Sequence, residues 1–440
     1  MKNQSVNVIG AGLAGCEASL FLASHGIKVN LYEMKTLNKS PAHKMDTFCE
    51  LVCSNSLKSE DVLTASGLLK AELLKLGSTI LKIAKSCAVP AGNSLSVDRH
   101  LFSSCVTDAI KSNKNITIYE KIVDKIESDK LTIVATGPLT DEALIADLQT
   151  YVGKDNCYFY DAIAPIVTLE SVDISKAFWA NRYDKGEGQG DYLNLSLTKE
   201  EYEVFYKELI NAETVPLKDF EKVFEGCMPI EVMAKRGSDS IRFGPMKPVG
   251  LYDDKGNKFY AVVQLRKENE KGTLLNLVGF QTNLKFSEQK RVFSLIPALK
   301  NAEFVRYGEM HRNTYINAPL CLNACSQLKN TENVFIAGQL SGVEGYVESI
   351  GSGLLCAINM IRILKGKKAK VLPATTCLGS ILNYITSASP VNFQPMNSNY
   401  GIIICEKQFK DKKEKKNYIY ENSMRVIEDY IKDMLDIWHF

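Results

Sequence analysis

Residues 5–33 read SVNVIGAGLAGCEASLFLASHGIKVNLYE. An apolar run (Val6, Val8, Ile9) enters a glycine cluster. A small-residue stripe follows (Ala14, Ala18, Leu22, Ala23), Gly26 closes it, and a second apolar run (Val29, Leu31) ends at Glu33. The spacing predicts strand, helix, strand, a βαβ unit. Within it Gly10-Ala11-Gly12-Leu13-Ala14-Gly15 matches GxGxxG at a strand exit. The first glycine permits a tight turn, the second lets a pyrophosphate approach the backbone, and the third lets the helix lie close to the strand. The helix N-terminus then presents free N–H groups to phosphate. Glu33 stands at the end of the second strand, where a carboxylate accepts the ribose hydroxyls of an adenosine. The stretch predicts dinucleotide binding.

Two further segments choose between dinucleotides. LTIVATG (131–137) is a strand leading into an Ala-Thr-Gly turn. Near the C-terminus, Phe335-Ile336-Ala337-Gly338-Gln339 repeats strand-then-glycine and runs into a small-residue helix through Gly342, Gly345, Gly351 and Gly353. A nicotinamide-nucleotide domain would close within one contiguous stretch. A late strand that returns to the first sheet is the layout of glutathione-reductase-type flavoproteins, which favours FAD, with Gly338 and Gln339 near the flavin. Between these halves, charged helical stretches (Lys199–Leu209, Asp219–Phe224) alternate with β-type runs (Phe259–Leu265, Leu274–Phe280). The expected architecture is α/β: a Rossmann-like FAD-binding domain formed by 1–170 and 326–440, with an inserted α+β domain at 171–325. Helical periodicity is also expected over 67–85 and from about Asn422 to the end, with the basic run at 407–416 read as a solvated linker.

Composition narrows the class. The 440 residues carry 53 Lys+Arg against 51 Asp+Glu, with 45% hydrophobic and 24% charged, the balance of a globular protein rather than a disordered one. Net charge of +2 excludes a polycationic coat but not local basic clusters. The 12 cysteines contain no CxxC pair, so neither a metal site nor a disulfide scaffold is expected. No signal layout or long apolar run is evident, so a cytoplasmic protein without a membrane anchor is expected.

Longer motifs go further: SPAHKMDTFCELVCSNSLKS (40–59), PAGNSLSVDRHLFS (90–103), YFYDAIAPIV (158–167), FEGCMPIEVMAKRG (224–237), IRFGPMKPVGL (241–251), YGEMHRNTYINAP (307–319), GVEGYVESIGSGL (342–354) and FQPMN (393–397). With these, the chain resembles the folate- and FAD-dependent tRNA uracil-5-methyltransferases, the TrmFO family, relatives of the GidA flavoproteins. The resemblance implies that 5,10-methylenetetrahydrofolate gives a one-carbon unit to carbon 5 of a uridine in RNA, with electrons from FAD recharged by NAD(P)H. The family default is the T-loop uridine of tRNA. The alternatives are a uridine of 23S ribosomal RNA, and a flavin oxidoreductase acting with a partner in tRNA modification. No obligate protein partner is evident, and the GidA C-terminal extension is missing.

Carbon 5 of uracil is a poor nucleophile until a thiolate adds to carbon 6, and a base must later remove its proton. Cysteine suits the first role because part of it is thiolate at neutral pH. By the resemblance, Cys53 is the nucleophile and Cys227 the general acid/base. Cys16, Cys105 and Cys356 lie on apolar helical faces and read as packing residues. Tyr346 and His311 are candidates to stack on folate or flavin. Arg306, Arg312 and Lys285 are candidates for the folate glutamate. For RNA phosphates, the visible basic clusters are Lys235, Arg236, Arg242 and Lys247 and the run 407–416; the first group is favoured because it borders Cys227.

Overall fold

The structure, a computed structural model, describes residues 5–40, 43–52, 55–89, 91, 93–153, 156–158, 161–182, 190, 192–215, 228–253, 256–267, 272–311, 314–391 and 393–434. The chain forms two compact units, one from 1–159 with 314–440, the other from 160–313. Both boundaries fall earlier than the expected 171 and 325. The Ile166–Thr168 strand is hydrogen-bonded into the second unit's sheet. The Tyr315–Ile316 strand instead pairs with Cys157–Tyr158 of the first unit. Pairing across long sequence separations sets these edges, and composition does not report it.

The first unit is built on a five-stranded parallel sheet in the order Val334–Ile336, Thr132–Val134, Ser5–Ile9, Lys28–Glu33, Ile116–Glu120. Val134 lies beside Ile9 on one side and Ile336 on the other. The exits of all three glycine-bearing strands therefore meet at one edge of the sheet, where doubly wound folds bind ligands. The Leu13–Ser24 helix is buried on almost every side, which matches a small, largely apolar sequence broken by Glu17 and two serines. It packs against the Tyr346–Leu364 helix. Among the described residues that second helix is the one long and apolar enough to cross a membrane, yet 78% of its apolar window is buried within the protein.

Buried carboxylates lock the outer helices. Glu17 accepts from Ser78 Oγ at 2.7 Å and from the Thr79 and Ile80 N–H groups at 2.9 Å, at the start of the Thr79–Ser86 helix. Glu72 accepts from the Cys377 and Leu378 N–H groups at 2.6 and 2.8 Å and from Ser423 Oγ. Burial raises the Glu72 pKa to about 7. The expected 67–85 helix is two helices, Ala65–Lys75 and Thr79–Ser86, because Gly77 at φ +97° ends the first and Ser78 caps the second. The run at 407–416 is not a linker throughout. From Lys412 it is the first turns of a helix, Lys412–Lys432, buried along Ile419, Ser423, Ile427 and Tyr430.

The second unit is α+β. Its antiparallel sheet runs Ala177–Ala180, Tyr192–Leu197, Ala261–Lys267, Leu274–Leu277, Ile166–Thr168, Phe304–Arg306. The Lys199–Asn211 helix starts with a complete capping box between Thr198 and Glu201. It buries Tyr202, Phe205 and Leu209 in a core shared with Phe280 and Phe293.

Candidate functional site

The meeting point of the three strand exits opens into a cleft in the first unit. Its floor is Gly10, Ala11, Gly12, Leu13 and Ala14, its walls are Ala135–Leu139 and Gly338, Gln339, Tyr346 and Ser349, and Glu33 stands at one end. Steric limits explain the glycines. Gly10 sits at φ +101°, and a Cβ there would lie 2.6 Å from the Ala135 carbonyl oxygen. A Cβ at Gly15 would come within 1.8 Å of the Gly10 carbonyl oxygen, so Gly15 faces the strand and does not line the cleft. Gly12 differs from both, because a Cβ built on it meets nothing within 4 Å. Its backbone borders open space at the N-terminus of the Leu13–Ser24 helix, where a pyrophosphate fits.

Glu33 is more constrained than its spacing suggests. One carboxylate oxygen accepts from the Ala11 N–H at 2.7 Å, and the other accepts from the Met34 and Lys35 N–H groups at 2.8 Å. These amides fix the carboxylate beside the glycine loop, and a carboxylate has remaining lone pairs for a ribose.

The segment after Glu33, read from sequence as polar loop, folds over the glycine loop. The Cys49 N–H donates to the Ala11 carbonyl at 3.1 Å, and Cys49, Glu50, Val52, His43, Ser40 and Asn38 line the cleft. Lys35 is buried, and its ammonium donates to the Thr47 carbonyl at 2.7 Å and meets Glu50 Oε2 at 3.5 Å. Glu50 also accepts from the Lys44 and Met45 N–H groups at 2.8 and 3.1 Å. Burial works against its charge, but these donors and Lys35 outweigh burial and hold the carboxyl below its ordinary value. Burial, reinforced by Lys35, lowers the pKa of His43, whose Nδ1 lies 2.6 Å from Ser40 Oγ. The sequence assigns none of these residues a place in the cleft; Cys49 figures in it only as a partner for Cys53, and that pairing is set aside. The signal available was the density of polar and charged types between Glu33 and Cys53, within the 40–59 motif.

Cys16 donates its thiol to the Ala11 carbonyl at 3.3 Å, and burial, with the Cys49 thiol nearby, pushes its pKa well up. That is the state of a packing cysteine, as is the fully buried Cys356. Cys105 is only half-buried.

Gly10–Ala14, Glu33, Gly338, Gln339 and Tyr346 are thus brought together. Cys53, Cys227 and Arg312 lie outside the described residues. So does the side chain of His311, whose backbone pairs with Asp161. The remaining candidates belong to the second unit. Arg306 is 4% exposed on the Phe304–Arg306 strand, a poor position for meeting a solvent-borne glutamate tail. Arg242 pairs with Asp239 at 3.0 Å and lies 4.2 and 4.7 Å over the Phe243 and Tyr260 rings. Arg236 is exposed and Lys247 half-buried. Lys285 pairs with Glu213 at 2.5 Å.

Residues 5–368 match the family described as glucose inhibited division protein A. A Halalkalibacterium halodurans protein named methylenetetrahydrofolate–tRNA-(uracil-5-)-methyltransferase TrmFO is 50% identical over 438 residues, covering 99% of this chain and 100% of the relative. The chain belongs to the TrmFO family of GidA-related proteins. A second TrmFO relative, from Acetivibrio thermocellus, is 53% identical over 97% of this chain and 98% of its own. A solved structure of Aquifex aeolicus GidA superposes with a TM-score of 0.50 at 18% identity, over 97% of this chain and 76% of that one, which speaks for the fold.

Proposed function

We propose that this protein transfers the one-carbon unit of 5,10-methylenetetrahydrofolate to carbon 5 of a uridine in tRNA, the T-loop uridine by family default. The observation that carries the reading is identity of 50% or more along essentially the whole length of proteins bearing that activity in their name. FAD fits the cleft: Gly12 leaves room for a pyrophosphate, Glu33 is fixed at the ribose end, and Gly338 and Gln339 face the same space. When bound, FAD recharged by NAD(P)H supplies the two electrons that bring a methylene to the methyl level.

The chain's own residues then divide the work. The Cys53 thiolate adds to carbon 6 of the uracil, so that carbon 5 becomes nucleophilic and bonds to the one-carbon unit, whose bonds to nitrogen break so that tetrahydrofolate is released. Cys227 takes the carbon 5 proton, and the Cys53 sulfur leaves carbon 6. Tyr346, half-buried in the cleft wall, is placed to stack on a planar ring. The partners of this reading are RNA and folate, and its setting is the cytoplasm.

The test uses purified flavin-loaded protein with methylenetetrahydrofolate, NADH or NADPH, and an unmodified tRNA transcript. The expected product is 5-methyluridine in the T-loop, lost in both Cys53→Ser and Cys227→Ser. No methyl transfer from the loaded parent protein overturns the reading. Methylation of a 23S ribosomal RNA fragment in place of tRNA moves it to that substrate.

A further inference from the structure

We propose that the basic segment 407–416 is the surface that docks the phosphate backbone of the RNA substrate; the proposal rests on the tRNA reading above. The segment KQFKDKKEKK holds six lysines and two acidic residues in ten positions. With a whole-chain charge of only +2, the rest of the protein is on balance slightly acidic. The positive charge absent from the composition is concentrated here.

Helix stability does not account for it. Lys412, Lys413, Lys415 and Lys416 crowd the first turns of the Lys412–Lys432 helix, where the helix dipole is already positive and cations are unfavourable. Asp411 caps the helix by accepting from the Glu414 N–H at 2.8 Å. Further along, charges are neutralised: Lys75 meets Glu428 at 2.8 Å and Lys432 meets Asp429 at 3.2 Å. Among the described residues, no carboxylate lies within ion-pairing distance of Lys407, Lys410, Lys413, Lys415 or Lys416. Two of them sit over aromatic rings instead, Lys407 at 4.7 Å from Tyr418 and Lys416 at 5.3 Å from Tyr400. Lysines interleaved with aromatic rings suit a polyanion with stacking bases. By contrast Arg242, in the other basic group, is engaged by Asp239 and two rings.

Hydrogen bonds within the first unit tie the segment before the lysines to the helix that carries a cleft residue. Two residues before Tyr400, Ser398 donates its N–H and Oγ to Glu348 at 3.0 and 2.7 Å. Glu348, itself buried, also holds Lys58 at 3.6 Å and lies two residues after the cleft residue Tyr346 in the same helix. The apolar stripe that anchors the helix is separate, so the lysines can change without unpacking it.

The experiment measures binding of the flavin-loaded full chain to an unmodified tRNA transcript over a series of KCl concentrations. The triple charge reversal Lys410→Glu, Lys413→Glu, Lys416→Glu is paired with the neutral set Lys410→Gln, Lys413→Gln, Lys416→Gln, in case the reversal misfolds. Circular dichroism and flavin content verify folding. For the neutral set, the slope of log K against log [KCl] is expected to fall by about 2–3, roughly one contact per lysine. For the reversal, Kd is expected to rise at least about tenfold near physiological salt. In turnover the loss falls on KM for tRNA rather than on kcat. An unchanged slope and Kd in folded neutral variants overturns the proposal. So does loss of binding to anionic lipid vesicles with RNA binding intact, which reassigns the face to a membrane. Methyl transfer that survives alongside unchanged RNA binding removes this surface and keeps the function. Lysine-dependent RNA binding without methyl transfer by the parent does the reverse.

Discussion

At Gly15 a single added carbon would stand 1.8 Å from the Gly10 carbonyl oxygen, whereas at Lys35 an ammonium reaches out to the Thr47 carbonyl at 2.7 Å and to Glu50 at 3.5 Å. The first contact lies directly beneath the floor of the cleft and supports it, and the second belongs to its cover. The floor exists because nothing is there: small residues let backbone approach backbone. The cover exists because side chains reach across it and satisfy one another. Close packing tolerates no extra atom, while a hydrogen-bonded network loses its members one at a time. The two regions should therefore fail differently.

The largest effect is expected at Gly15. Gly15→Val forces the helix off the strand, and soluble flavin-loaded protein should be lost; recovery of yellow, folded protein would remove the steric account of the floor. Gly12→Ala comes next and separates binding from folding. Gly12 has extended backbone angles open to any residue, and its Cβ would meet only empty space. The apoprotein should melt as the parent does, while FAD affinity falls at least about tenfold, since about 1.4 kcal/mol is a factor of ten. Equal FAD affinity, read by fluorescence titration, would put the pyrophosphate elsewhere.

Lys35→Met attacks the cover alone. It leaves the Thr47 carbonyl and Glu50 without their cation, at about 1–3 kcal/mol. A melting point lower by a few degrees is expected, with weakened but measurable flavin binding. A drop as large as that of Gly15→Val would erase the distinction between floor and cover.

The smallest effects are pH dependences of opposite sign. Glu50 is held below its ordinary value of about 4.5. It therefore stabilises the fold above that value, and the contribution is lost as pH falls through its lower folded value. Glu72 is raised to about 7 by burial, so the folded state keeps a proton that the unfolded chain has released. Its contribution declines as pH rises from about 4.5 to about 7 and is constant above. Melting curves of Glu50→Gln should flatten the acid limb, and those of Glu72→Gln the slope between about pH 5 and 7. Exchange of these two patterns would reverse the assignment.

The sequence made the floor legible, because its cause is local. The turn at Gly10 and the close contact of Gly15 arise within six residues, and period-2 and period-3.6 patterns mark the strands and helix around them. Motifs spread along the chain made the family legible too. The same reading stopped at residues whose partners are remote. The 34–52 segment showed only polarity, and nothing local said that Cys49 would bond to Ala11. A continuous apolar periodicity hid the break at Gly77–Ser78, where a positive φ and a cap ended one helix and began another. Lysine density at 407–416 argued for a solvated linker, although the apolar stripe from Ile419 to Tyr430 seats that helix against the protein.

By itself, then, the sequence determined a βαβ dinucleotide cradle, an α/β fold with an insertion, and membership of a family of folate-dependent RNA methyltransferases. Only the tertiary structure decided where the two units divide, which segment covers the cradle, and that the lysines from 412 onward open a seated C-terminal helix. The division follows from physics. Steric rules and periodicity act between neighbours in the chain, whereas Lys35–Glu50, Glu72–Ser423 and the strand pairings that close each sheet join residues brought together only by folding.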